Sequence, residues 1–126
     1  MRMTFAATEK GKKMRDRKYV AVSIKHTAYR WKYGMPCTLW GWKRTADEEK
    51  RCFSGYTMYL SKAELYSVSE FIDKYGCQTM KDEPVPMTPD LCKRWKKYDS
   101  VLVLESDYRR YCVQNYLAAE PPKGDE

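Results

Sequence analysis

Three groups of residues in this chain have types that could do covalent or metal chemistry. His26 is the single histidine, and a cysteine nucleophile would need it as a base, with Cys37 or Cys52 as the thiol that a hairpin could bring near it. The spacing favours a plainer reading, in which His26 is a polar residue closing a strand and Cys37 and Cys52 face each other in the core. A His-Cys enzyme stays open as a lesser alternative. Asp47, Glu48 and Glu49 look like paired catalytic acids, but they fall in a polar connection between strands, where solvation leaves carboxyl groups ordinary. The five cysteines, Cys37, Cys52, Cys77, Cys92 and Cys112, are 15, 25, 15 and 20 positions apart with no Cys-x-x-Cys, so no clustered zinc ligand set is expected. The sequence holds no phosphate loop, nucleophile elbow or dinucleotide fingerprint. No catalytic residue, metal or cofactor is therefore expected.

What survives is a pairing of cations with aromatic rings. Single-stranded nucleic acid is held by cationic grooves that follow phosphates and by aromatic faces that stack bases. Tyr29, Arg30, Trp31, Lys32 and Tyr33 run consecutively and are closed by Gly34 and Pro36. Lys43 and Arg44 end the next strand. Lys93, Arg94, Lys96 and Lys97 make one side of a later helix basic. Trp40 and Trp42 sit two apart, so strand alternation places them with Thr38 on one face, as core or as an open stacking platform.

The charge distribution points the same way. Of the net +7, residues 1–44 carry 12 Lys/Arg against two acids, and residues 45–126 carry 12 against 15. Basicity concentrated at one end suggests a surface that meets phosphate or an acidic protein face. A chain of 126 residues reads as one domain able to bury a core without disulfides or metal. An odd number of dispersed cysteines fits a reducing compartment, and no apolar run is long enough to span a bilayer. The N-terminal stretch lacks the apolar region of a secretory signal, so a soluble, cytoplasmic protein is expected.

The elements that must position these residues follow from periodicity. Residues 1–17 read as a flexible basic arm, 18–118 as a single α+β domain and 119–126 as a disordered tail. Val20, Val22 and Ile24 alternate in a first strand, Tyr19 to Lys25. Cys37 to Lys43 and Cys52 to Tyr59 read as second and third strands, with Gly55 marking close approach, most simply beneath a tryptophan. Ser67-Val68-Ser69-Glu70 is a capping box that starts a helix near Val68 to Tyr75 with Phe71 and Ile72 inward and Gly76 as its C-cap. A longer helix from Lys62, using Ser61 and Glu64, is the alternative. Thr88-Pro89 starts a helix from Pro89 to Tyr98 with Leu91, Trp95 and Tyr98 on its inner side. Val101 to Leu104 is a buried strand, and Ser106 caps a last helix, Asp107 to Leu117, with Tyr108, Tyr111, Cys112 and Tyr116 on one flank. The class is α+β, a mostly antiparallel sheet of about four strands with three helices packed on one face.

Across Lys18 to Tyr59, the segments KYVAVSIKHTAYRWKYG, LWGWKRT and EEKRCFSGYT resemble small single-domain proteins carried by prophages and integrative elements of Gram-positive bacteria. The resemblance covers about a third of the chain and transfers no functional residue. It implies an accessory protein that binds a host machine, of which anti-CRISPR proteins are one class. Many of those imitate DNA with acidic surfaces, and this basic chain departs from that pattern. It is expected instead to engage nucleic acid, a nucleoprotein effector or an acidic protein surface, as a non-enzymatic inhibitor of a host defence. A protein-only adaptor or structural subunit anchored by the aromatic loop is the alternative.

Overall fold

The computed structural model describes residues 16–51, 53–75, 81 and 83–122. The basic arm up to residue 15, Cys52, Cys77 and the expected C-cap Gly76 lie outside the described residues. Four strands form one antiparallel sheet: β1 (Tyr19–Ser23), β2 (Leu39–Trp40), β3 (Tyr56–Thr57) and β4 (Ser100–Leu104), in the order β3-β2-β1-β4. Among the described residues, four short α-helices accompany them, α1 (Ile24–Thr27), α2 (Val68–Tyr75), α3 (Leu91–Arg94) and α4 (Glu105–Gln114), with a 3-10 turn at Glu48–Lys50. This is the α+β class that the strand and helix periods predict.

The expected alternation of β1 is observed. Val20 and Val22 pair with Val103 and Val101 and turn to a core that also holds Ile24, Leu39, Leu91, Tyr108 and Cys112. Ala21 and Leu102 turn to the opposite face, where Tyr66 and Phe71 cover them. The helices therefore divide between faces: α3 and α4 serve the first core, and α2 contributes Phe71 to the second. A one-sided arrangement is untenable here because Ala21 and Leu102 are fully buried and need an apolar cover of their own.

Capping chemistry decides α2. The Glu70 N–H donates to Ser67 Oγ at 3.2 Å and the Ser67 N–H donates to Glu70 Oε2 at 3.3 Å, the reciprocal capping box read from the sequence. The longer helix from Lys62 does not form, because Tyr66 instead exchanges backbone hydrogen bonds with Tyr19 at 2.8 and 3.2 Å.

Several elements are shorter than periodicity suggests, and glycine accounts for two of them. Gly41 has φ +82° and its N–H donates to the Gly55 carbonyl at 2.8 Å, while Gly55 has φ +77°. Both are left-handed conformations that end strand geometry. The alternation of Trp40 and Trp42 breaks at Gly41. Trp40 packs with the second core and donates its indole N–H to Ser100 Oγ at 2.7 Å, whereas Trp42 lies on the surface, 57% exposed. A Cβ on Gly55 would come within 2.7 Å of Trp42 Cδ1, so the glycine does lie beneath a tryptophan.

The first strand stops at Ser23, whose hydroxyl accepts from the His26 N–H at 3.2 Å and turns the chain into α1. The helix expected over Pro89 to Tyr98 contracts to α3, followed by a turn in which Tyr98 N–H reaches the Trp95 carbonyl at 2.9 Å. The last helix starts two residues early because Glu105 N–H donates to the Lys18 carbonyl, continuing the β1–β4 edge. It ends before Tyr116. Leu117 N–H bonds the Cys112 carbonyl and Tyr116 N–H bonds that of Val113, a Schellman close with Tyr116 at φ +57° in the place usually taken by glycine. Tyr116 is consequently 97% exposed instead of on the inner flank. Ala119, expected in the tail, accepts from Ser61 N–H at 2.8 Å and packs on the main core.

An arginine network ties the loops to α2. Arg51 reaches Glu70 and the Leu65 carbonyl and lies 3.7 Å from Glu64, with the side chains of Arg51 and Glu64 each only 3% exposed. Its guanidinium also lies over the Phe53 ring, 4.8 Å from the centroid. Arg17 pairs with Glu48 at 2.7 Å and Glu70 at 3.1 Å. Removing Arg51 would break its buried pairing with Glu64 and its contacts with Glu70 and the Leu65 carbonyl, and breaking a buried ion pair costs about 3 to 5 kcal/mol. Arg51→Ala is expected to lower the unfolding free energy from urea titration by that amount, and an unchanged midpoint would show the network to be energetically idle.

Candidate nucleic-acid interface

The aromatic loop after α1 is held from below by two tyrosines of α4. Tyr108 Oη accepts from the Cys37 N–H at 2.9 Å, and Tyr111 Oη accepts from the Gly34 N–H at 2.8 Å while donating to the Met35 carbonyl. Gly34, at φ +103°, supplies the turn that presents these groups. The Trp31 indole N–H donates to the same Met35 carbonyl at 2.9 Å. With its nitrogen occupied internally, Trp31 offers ring surface rather than a hydrogen bond. Its ring centroid lies 6.4 Å from those of Tyr33 and Tyr111, and Tyr33 lies 5.2 Å from Tyr111.

Trp31 and Tyr33 belong to one wall of an open cleft of about 440 Å³, and the α3 segment forms the other. Trp31, Lys32 and Tyr33 come from the loop; Pro89, Asp90, Cys92, Lys93 and Lys96 come from the α3 side. Two patches separated by some 60 positions in the chain are thus brought together. Lys32, Lys93 and Lys96 are all exposed. Among the described residues that line the cleft, Asp90 is the one carboxylate. Hydrogen bonding from Thr88, joined by Arg94, holds its carboxyl below the usual range, although burial opposes this. Burial pushes the Cys92 thiol up to about 11.

The other expected contact residues take different positions. Tyr29 is 80% exposed with Arg30 over its ring, 5.2 Å from the centroid, and neither lines the cleft. Arg94 is exposed but pairs with Asp90 at 3.2 Å. Lys97 sits 5.2 Å from the Tyr98 ring centroid. Lys43 lies in a separate cleft of about 300 Å³ with Trp42, Lys50 and Phe53.

Arg44 has a structural task. Its Nε and one terminal nitrogen donate to the carbonyls of Ala63 and Leu60 at 2.8 Å, and the other pairs with Glu105 at 2.7 Å. A guanidinium so engaged has few donors left for phosphate. Sequence reasoning missed this, and it also missed Tyr108 and Tyr111 as loop anchors, although their three-residue spacing on a helix was visible.

The residues weighed for covalent chemistry are engaged elsewhere. His26 Nδ1 lies 2.8 Å from Ser23 Oγ and its ring centroid lies 4.5 Å from that of Tyr56. Cys37 is buried, and desolvation pushes its thiol well above the ordinary range, the opposite of what activates a cysteine nucleophile. Asp47 accepts from the Glu49 N–H at 3.0 Å and Glu48 takes both terminal nitrogens of Arg17. Among the described residues, no helix is long and apolar enough to cross a membrane.

No protein-family model, curated protein or solved structure matches this chain. The chemistry of the cleft is what bears on function.

The two roles assigned to cations separate cleanly by mutation. Arg44→Ala is expected to destabilise the fold by about 1.5 to 3 kcal/mol, since charged hydrogen bonds to Ala63, Leu60 and Glu105 are lost. Lys93→Ala is expected to leave the unfolding free energy within about 0.5 kcal/mol of the parent. Equal midpoints for both variants would contradict the structural role of Arg44.

Proposed function

We propose that this protein is a non-enzymatic nucleic-acid-binding protein that grips a single strand, free or within a nucleoprotein complex, in the cleft between the Trp31 loop and α3. The observation that carries the reading is the convergence of Trp31 and Tyr33 with Lys32, Lys93 and Lys96 around one open cavity. Ring faces stack bases at about 1 to 3 kcal/mol each, and the lysines follow phosphates. The Tyr108 and Tyr111 hydrogen bonds favour the reading further, because a platform fixed before binding loses less entropy on association. In the setting that the prophage resemblance implies, occupying the nucleic acid of a host defence ribonucleoprotein would inhibit it.

A protein-only adaptor is the second reading. Tyr29, 80% exposed with Arg30 over its ring, favours it as an aromatic anchor on the same loop.

Fluorescence anisotropy over a salt series with single- and double-stranded DNA and RNA separates the two. Three phosphate-contacting lysines predict a slope of log K against log salt of about −2 on single strands. The double variant Lys93→Glu/Lys96→Glu is expected to abolish binding, and Trp31→Ala to weaken it at least about fivefold. Absence of binding to every nucleic acid and to effector ribonucleoproteins at low salt would reject the proposal. Capture of a nucleic-acid-free partner that Trp31→Ala loses and the lysine variants keep would establish the adaptor.

A further inference from the structure

The cleft contains one group that phosphate binding does not explain. Asp90 places a carboxylate beside Lys93 and Lys96 and opposite Trp31 and Tyr33, where a passing phosphate would be repelled by it. Its position is fixed. Oδ1 accepts from Thr88 Oγ1 at 2.7 Å and Oδ2 accepts from Arg94 Nε at 3.2 Å. A carboxylate offers about four lone-pair sites over its two oxygens, so each oxygen retains accepting capacity. The side chain is 46% exposed.

We propose that Asp90 reads the base stacked in this cleft and selects guanine. The inference rests on the reading of the cleft as a single-strand site and specifies its ligand. Guanine is the base whose Watson–Crick edge presents two adjacent donors, N1–H and the N2 amino group, which match the two oxygens of one carboxylate. Adenine sets its N6 donor beside the N1 acceptor, and cytosine sets its N4 donor beside N3. Uracil and thymine flank N3–H with two carbonyl oxygens. Each of those edges turns at least one lone pair toward Asp90, while a stacked single-stranded base leaves that edge free to be read. Thr88 and Arg94 keep the carboxylate oriented and ionised, so its selectivity does not wait on binding. Lys93 and Lys96 offset its repulsion of the backbone.

The test uses the full chain and labelled oligonucleotides of about 12 residues, the scale of single-strand sites, in both DNA and RNA form. Each is a thymine or uracil tract with one central guanine, adenine or hypoxanthine. Guanine is expected to bind more tightly than adenine by about five- to a hundredfold, the range of a good bidentate base contact. Hypoxanthine, which lacks the N2 amino group, is expected to lose most of that advantage. Asp90→Asn is expected to erase the preference while binding to adenine tracts persists. Because Asp90 also contacts Thr88 and Arg94, the variant's melting temperature is measured alongside, and the hypoxanthine comparison on the parent protein stands even if the variant misfolds. Equal affinity for all three tracts, with tract binding intact, overturns guanine selection and leaves the single-strand reading standing. A guanine preference that survives Asp90→Asn in a folded variant overturns the role of Asp90. Binding to no tract at all removes both readings.

Discussion

The fold depends on the pairing of β1 with β4. Five consecutive residues, Tyr19 to Ser23, run antiparallel to Leu104 to Ser100, and Val20, Ala21, Val22, Val101, Leu102 and Val103 are fully shielded from solvent. Both faces of this pair are buried, so its register is determined twice over. A slip of β1 by one residue would send Val20 and Val22 toward Phe71 and bring Ala21 against Tyr108, mismatching volume on both sides. The loop after α1 springs from one end of β1, and α4 follows directly from β4. Those two connections carry the aromatic loop and its tyrosine anchors.

From that constraint the cleft follows. α4 leaves β4 without a linker, so the paired strands place Tyr108 and Tyr111 beneath residues 34–37. Hydroxyl groups that satisfy the backbone of a surface loop do two things: they remove the penalty of unpaired peptide groups, and they restrict the loop to one conformation. Burial drives the Tyr111 hydroxyl up to about 12 and Tyr108 higher still, so both remain protonated across the physiological range and can serve as stable latches. The anchored aromatic wall thus faces the exposed Lys93 and Lys96 across the cleft.

The cations of this chain divide by chemistry. The guanidinium groups of Arg17, Arg44 and Arg51 make multidentate contacts with carboxylates and carbonyls inside the fold, as a planar fork of donors favours. Lys32, Lys93 and Lys96 remain on the surface around the cleft. Net charge counts both kinds alike. Four acids, Glu48, Glu64, Glu70 and Glu105, are committed to those three arginines, whereas the cleft lysines stay available to a polyanion.

Local signals in the sequence determined the elements whose cause is local. Alternating valines specified β1, Ser67 and Glu70 specified the start of α2, and Gly55 pointed to a ring above it. The aromatic loop and the basic α3 segment were each recognisable from residue type alone. Only the tertiary structure decided that they form opposite walls of one cleft, since their approach depends on the long-range pairing of β1 with β4 and on hydroxyl contacts spanning more than 70 positions. It also decided that Trp40 turns inward and Trp42 outward, because a left-handed glycine between them cancels strand alternation. The same holds for Arg44, whose partners Leu60, Ala63 and Glu105 are distant in the chain and leave no mark on the residues beside it.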